Sequence, residues 1–267
     1  MKKQILALAA AFAFAAFFTA CDRKTDADRA EITTSEDILT NLDYDEAADL
    51  DEDEAVADRG GSGNCPTRTW ANPVGTWPNT LTVDYGDNCV RPDGRVLKGK
   101  VIITQSDSTM RVAGATRTVT YENFFVDDVQ VGGSKTLTNN GLNTAGLLYF
   151  TKVVAKTLTF PDGTVATWQG TKIRTWTEGQ NTPNILFDDV WAVTGDGSGT
   201  NRDGDEFTMS INEPLIKRNN CRWISEGLLT WTRNGRARTL DFGDGTCDRV
   251  GTLTLANGDT FTIRLRR

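Results

Sequence analysis

The chain has 267 residues, with 36 Asp or Glu against 29 Lys or Arg, a formal net charge of −7 and no histidine. The missing histidine removes Ser-His and Cys-His nucleophile pairs, histidine general bases and most zinc sites in one step. Any enzyme built from this composition would depend on carboxylates, Lys or Tyr.

At the N-terminus, Lys2 and Lys3 precede an apolar run from Ile5 to Phe18, then Thr19, Ala20 and Cys21. A basic n-region, a short apolar h-region, small residues at the cut and a thiol to carry lipid make residues 1–20 a lipoprotein signal peptide, with lipidation expected at Cys21. The 14-residue run from Ile5 to Phe18 is too short for the roughly 20 residues that cross a bilayer as a helix. Phe18 stands where a lipobox usually carries Leu, and where ordinary signal peptidase wants a small residue. The mature protein is expected to start at Cys21 and to be held to the membrane by more than one acyl chain.

Residues 22–59 hold 15 Asp or Glu against four Lys or Arg. Such a segment cannot bury enough apolar surface to offset the entropy of ordering, so residues 21–63 read as a disordered acidic tether. Within it, Thr33 or Thr34 with Glu36 or Asp37 resembles a capping box ahead of Ile38, Leu39 and Leu42, which predicts a short helix over 34–42. The run Arg59-Gly60-Gly61-Ser62-Gly63 reads as a hinge. Residues 64–267 then form one domain, close to neutral, with no basic stripe visible along the sequence and hence no electrostatic footprint for nucleic acid.

That domain repeats one grammar: alternating Thr and apolar residues, closed by Asp-Gly or Asn-Gly. It appears at Thr80-Leu81-Thr82-Val83, Thr118-Val119-Thr120-Tyr121, Thr136-Leu137-Thr138, Thr157-Leu158-Thr159-Phe160 and Thr252-Leu253-Thr254-Leu255. Period-two alternation with tight-turn dipeptides predicts antiparallel β-structure throughout, with helices rare. The expected fold is all-β: a meander of about 11–13 strands forming a curled sheet, a β-sandwich or a partly closed barrel. Similar strings starting at Thr80, Thr157 and Thr239, with Phe125-Val126-Asp127-Asp128 echoed by Phe187-Asp188-Asp189, raise the question of an old duplication.

Four cysteines in an exported domain point to disulfides. Folding back about Asn234-Gly235 brings Cys221 opposite residue 248, next to Cys247; Cys65 and Cys89 are symmetric about Trp77. The expected pairs are therefore Cys65–Cys89 and Cys221–Cys247. No two cysteines have CxxC spacing, which with the absence of histidine disfavours zinc.

Three further groups are candidates for chemistry. Asp127-Asp128 and Asp188-Asp189 are adjacent acids of the kind that invite a glycosidase reading, but strand neighbours point to opposite faces, so turn positions are the expectation. Asp196, Asn201, Asp203 and Asp205 space oxygens at loop intervals without the full register of a calcium loop. Trp168 and Trp176, and Trp223 and Trp231, are each eight apart and would share a strand face, which makes them candidates for stacking sugars; packing within a core is the bland alternative.

The stretch 79–99, the segment CRWISEG beginning at Cys221 and DFGDGTCD beginning at Asp241, together with the lipid signal and acidic stalk, resemble a group of bacterial lipoproteins with an all-β body. The resemblance implies export to the cell envelope and carries no assigned activity, cofactor or catalytic residue. The expectation is a non-enzymatic envelope lipoprotein in a binding or structural role, without cofactor, metal or catalytic residues, whose partners are the membrane through its lipid and an envelope protein or glycan. A glycan-binding module using the tryptophans and a carboxylate-dependent hydrolase are the alternatives. Asp22 directly behind the cysteine accompanies inner-membrane retention in some bacteria, and nearby acids accompany surface export in others; the outer membrane is the expected location.

Overall fold

The computed structural model describes residues 65–265 apart from 92, 93, 108 and 183. The signal peptide, Cys21, the acidic tether and the helix expected over 34–42 lie outside the described residues.

Fourteen strands follow one another: β1 (Thr67–Trp70), β2 (Asn79–Asp84), β3 (Cys89–Val90), β4 (Val96–Gln105), β5 (Thr116–Val126), β6 (Val129–Leu142), β7 (Leu148–Thr159), β8 (Val165–Glu178), β9 (Val190–Thr200), β10 (Glu206–Arg218), β11 (Ile224–Arg233), β12 (Arg236–Asp244), β13 (Val250–Thr254) and β14 (Thr260–Arg264). They form a single antiparallel sheet in which each strand pairs with the next, except that β3 lies beside β4, off the main path. The first and last strands do not pair with each other, so the sheet curls without closing. The count exceeds the expected range because β1 and β3, with four and two residues, are too short to show alternation beside their Pro- and Gly-rich loops. One 3-10 turn, Leu186–Asp188, is the sole helical element among the described residues.

The Thr-apolar alternation sorts the two faces. Apolar residues of β2, such as Leu81 and Val83, are fully buried on the inner side, while threonines line the outer side and bond across the ladder, as in Thr80 with Thr104 at 3.0 Å and Thr167 with Thr200 at 2.8 Å. Cross-strand hydroxyl pairs of this kind add a few tenths of a kcal/mol each, about 0.2–1. Asp and Asn side chains cap the strand ends. Asp84, Asp162 and Asp241 each accept a backbone N–H two residues on, so the recurrent acid in the repeated strings is a turn former. Asn234 and Gly235, at φ 51° and 74°, make the two-residue β11–β12 hairpin that Asn-Gly predicts.

The sheet has unlike ends. Connections at 127–128, 160–164, 201–205, 234–235 and 255–259, none longer than five residues, lie at one end, and those at 106–115, 143–147, 179–189, 219–223 and 245–249, two of which reach ten and eleven residues, at the other. This arrangement separates the two Phe-Asp-Asp strings: Asp127-Asp128 occupies a tight turn, whereas Asp188-Asp189 sits in a long loop at the opposite end. The likeness reflects hairpin chemistry more than equivalent positions.

Both expected disulfides are present, Cys65–Cys89 with Cα atoms 5.9 Å apart and Cys221–Cys247 at 5.6 Å. The first ties the β1 edge at the tight-turn end; the second joins the β10–β11 and β12–β13 loops at the other end.

Candidate functional site

The inner face of the middle strands is where chemistry collects, and strand register determines what stands there. Residues paired across a ladder share a face. Following the register from β4 to β9 gives one row of Gln105, Arg117, Leu137, Lys152, Lys172 and Gly195. A parallel row holds Ile103, Val119, Lys135, Val154, Gly170 and Gly197. Beside them, Lys156 stands opposite Trp168, and Arg174 opposite Phe150. Arg117, Lys135, Lys152, Lys156, Lys172 and Arg174 therefore lie on one side of four consecutive strands, β5 to β8.

The expectation of a body without a basic stripe is corrected by this arrangement. The cations are scattered along 58 residues of sequence, each hidden in its own strand between apolar residues, and only lateral pairing assembles them. Arg117, Lys135 and Lys156 are buried, while Lys152, Lys172 and Arg174 are half-buried. The long aliphatic stems of such side chains pack with apolar neighbours. Arg117 donates from Nε to Gln105 Oε1 at 3.0 Å.

Aromatic side chains frame the cationic patch. In the second half of β9 the inner positions are Gly195, Gly197 and Gly199, which leave a trough. Trp168 from β8 lies in it: a Cβ on Gly197 would come within 2.3 Å of the indole ring. Phe207 from β10 leans in from the other side, stacking on Trp168 with centroids 5.9 Å apart and on Trp231 at 3.9 Å. Three aromatic rings thus bridge β8, β10 and β11 above the glycine half of β9. Toward the long-loop end, Trp176 and Trp191 stack at 5.0 Å; Arg111 covers the first at 4.6 Å and Arg174 the second at 3.9 Å. Cation–π contacts of this sort contribute about 0.5–2 kcal/mol depending on desolvation.

Asp189 closes the same end. It is 4% exposed and accepts from Trp176 Nε1 at 3.2 Å and Asn219 Nδ2 at 3.1 Å. Burial pushes its carboxyl above the usual 3.8, opposed by the Trp176 hydrogen bond. Its neighbour Asp188 turns the other way and accepts from the Thr182 hydroxyl at 2.7 Å. Asp127 and Asp128 occupy the β5–β6 turn with φ 48° and 68°; Asp127 accepts the Val96 N–H and Asp128 pairs with Lys98 at 2.7 Å. Both acidic pairs take the divergent, turn-forming arrangement expected of strand-end aspartates.

Asn201 organises the loop considered for calcium, its Oδ1 accepting from the Asp203 and Asp205 N–H groups at 3.0 and 2.8 Å. Asp205 is paired with Arg233 at 3.4 Å, and Asp196 lies out on β9. Among the described residues no three His, Cys, Asp or Glu side chains gather as a metal site would require.

The tryptophans correct the sugar-platform expectation. Trp168 and Trp176 do share a face of β8, but that face is internal: Trp168, Trp176 and Trp231 are 5%, 4% and 2% exposed. Trp223 is half-buried and precedes β11, so it does not share a strand with Trp231. The reason is the glycine trough, which gives Trp168 a place to lie flat inside. The cationic residues are the group that sequence reasoning missed; their only linear signal is a Lys or Arg interrupting the apolar phase of successive strands.

Fold and face together define an all-β, disulfide-stapled domain made of one open curled sheet with a basic, aromatic-framed inner side. No family model, curated protein or solved structure matches the chain.

Proposed function

We propose that the chain is a lipid-anchored, non-enzymatic lipoprotein of the bacterial cell envelope, sited at the outer membrane, whose β domain binds an anionic glycan on its inner face. The single observation that carries the binding reading is the set of six Lys and Arg contributed by β5–β8 to one side of the sheet, of which Lys152, Lys172 and Arg174 are half-buried and the other three buried. A face of one sign with low-dielectric surroundings concentrates polyanions. The anchoring reading rests on the signal ending at Cys21.

Calorimetric titration of the mature chain with an acidic polysaccharide such as polygalacturonate, alongside neutral dextran, tests the ligand class. Binding of the acidic polymer that weakens steeply with salt, and none of the neutral one, is expected. Equal heats from both polymers, or none from either at low salt, would overturn it. For the anchor, cells fed an alkyne-tagged fatty acid should label the protein, and Cys21→Ser should abolish the label; an unlabelled wild-type chain would refute lipidation.

A further inference from the structure

Single exposed apolar side chains are ordinary on protein surfaces; a contiguous group is not. Among the exposed large hydrophobic residues of the described chain only Ile185, Leu186 and Phe187 are consecutive, at 54%, 49% and 70% exposure. Phe187 is also the only exposed aromatic side chain among the described residues. The three lie in the loop 179–189, at the end of the sheet opposite the Cys65–Cys89 bridge. We propose that this apex inserts into the lipid bilayer that carries the protein's anchor, as a contact separate from the anchor itself. Insertion is independent of the glycan reading; that the bilayer is the anchored one rests on the lipidation reading above.

The loop is braced from within while its apolar side chains stay outside. Ile185 N–H donates to the Thr182 carbonyl at 2.8 Å, and the Leu186 carbonyl accepts from Asn219 Nδ2 at 2.8 Å and from Asp189 N–H at 3.4 Å. Asp188 accepts from the Thr182 hydroxyl at 2.7 Å, and Gln180 fastens the loop to its β6–β7 neighbour through Leu148 N–H and the Gly146 carbonyl, each at 3.1 Å. A loop fixed in this way enters an apolar medium with fewer backbone groups to desolvate and little ordering entropy to lose. Area selects the occupant. The three side chains expose roughly 300 Å² of apolar surface, whereas a stable protein interface takes about 800 Å² from each partner. A bilayer sets no such minimum, and an apolar tip flanked by Asn184 and Asp188 suits the shallow depth of about 5–10 Å at which interfacial segments lie. Reach permits the contact. Residues 21–64 number 44 and span at most about 145–160 Å. The 14 residues of β6 or β8 rise about 46 Å, so attachment at the far end of the sheet still lets the apex meet the same membrane.

The test uses residues 21–267 with Cys21→Ser and Phe187→Cys, the single thiol left by the two disulfides carrying a nitrobenzoxadiazole fluorophore, and vesicles of phosphatidylethanolamine and phosphatidylglycerol. Vesicles should shift the emission to the blue and expose it to a quencher carried at shallow acyl positions. The same label at Asp203→Cys, at the opposite end of the sheet, should stay unchanged. Insertion driven by apolar area should persist in about 0.5 M salt, which separates it from electrostatic adsorption of the cationic face. In the unlabelled chain, Leu186→Ser with Phe187→Ser should weaken vesicle binding roughly tenfold or more at an unchanged melting temperature. An unresponsive label at millimolar lipid, an equal response at position 203, or loss of the response in salt would overturn insertion. A blue shift that grows with protein concentration in the absence of lipid would assign the apex to a second copy of the chain and overturn it as well. Insertion of this unanchored chain without fatty-acid labelling in cells refutes the anchor alone; labelling without insertion refutes this inference alone.

Discussion

Lys152 of β7 and Lys172 of β8 stand directly opposite each other on the inner face. Like charges in that relation oppose strand pairing by a fraction of a kcal/mol to about 1 kcal/mol. A position that weakens its own ladder is a signature of function favoured over stability. Lys152→Glu should therefore raise the melting temperature by about 1–4 °C while weakening polygalacturonate binding at least several-fold. Calorimetry and titration of the same sample check the pair of outcomes; a variant that loses stability and keeps affinity would contradict the assignment of the face.

The glycine trough should be intolerant. Gly197→Ala places a methyl group 2.3 Å from the Trp168 ring and 2.6 Å from the Gln169 carbonyl. The expected loss is about 1–3 kcal/mol, measured by denaturant unfolding, with a shift in Trp fluorescence. Trp168→Phe in the same background should recover part of it.

The disulfides close loops with sequence separations of 24 and 26 residues. Replacing Cys221 and Cys247 together by Ser should cost about 3 kcal/mol in the chain-entropy view, as should the equivalent change at Cys65 and Cys89. Because the bridges lie at opposite ends of the sheet, the two losses should add when the four-fold variant is unfolded in urea; a combined loss equal to either one alone would show that a single bridge suffices.

Two aspartates should titrate in opposite senses. Asp189 is raised by burial above 3.8, so the folded chain holds a proton that the unfolded chain has released. Its contribution is full below 3.8 and is lost as pH rises through the folded value. Asp162 is lowered to about 2 by the Thr164 hydroxyl first and by Arg202. Its contribution is present above 3.8 and is lost as pH falls toward 2. Asp189→Asn should reduce the decline in stability as pH rises above 3.8, whereas Asp162→Asn should reduce the decline on the acid side. Urea midpoints across pH for both variants decide the matter.

Much of the fold was legible because it is written locally. Thr80 to Val83 alternates with the pleat, Asn234-Gly235 can hardly avoid a tight hairpin, and mirror symmetry about such turns brings Cys221 to Cys247. The strands that escaped notice, β1 and β3, are too short to carry a period. The candidate site was illegible for a different reason. Lys135, Lys152 and Lys172 are separated by 17 and 20 residues, and what makes them neighbours is lateral pairing, which alternation does not specify. Likewise the spacing of Trp168 and Trp176 correctly places them on one face, but which face is internal depends on the empty side of β9.

The sequence by itself determined the period of the strands, the turns between them, the partners of the four body cysteines and the division into an acidic segment and a neutral domain, because each of these follows from neighbours within some 30 residues. Only the tertiary structure decided where charge and aromatic rings converge. A curled sheet superimposes positions from many strands, and the neutral sum of a sequence says nothing about how its positive and negative halves are distributed between two faces.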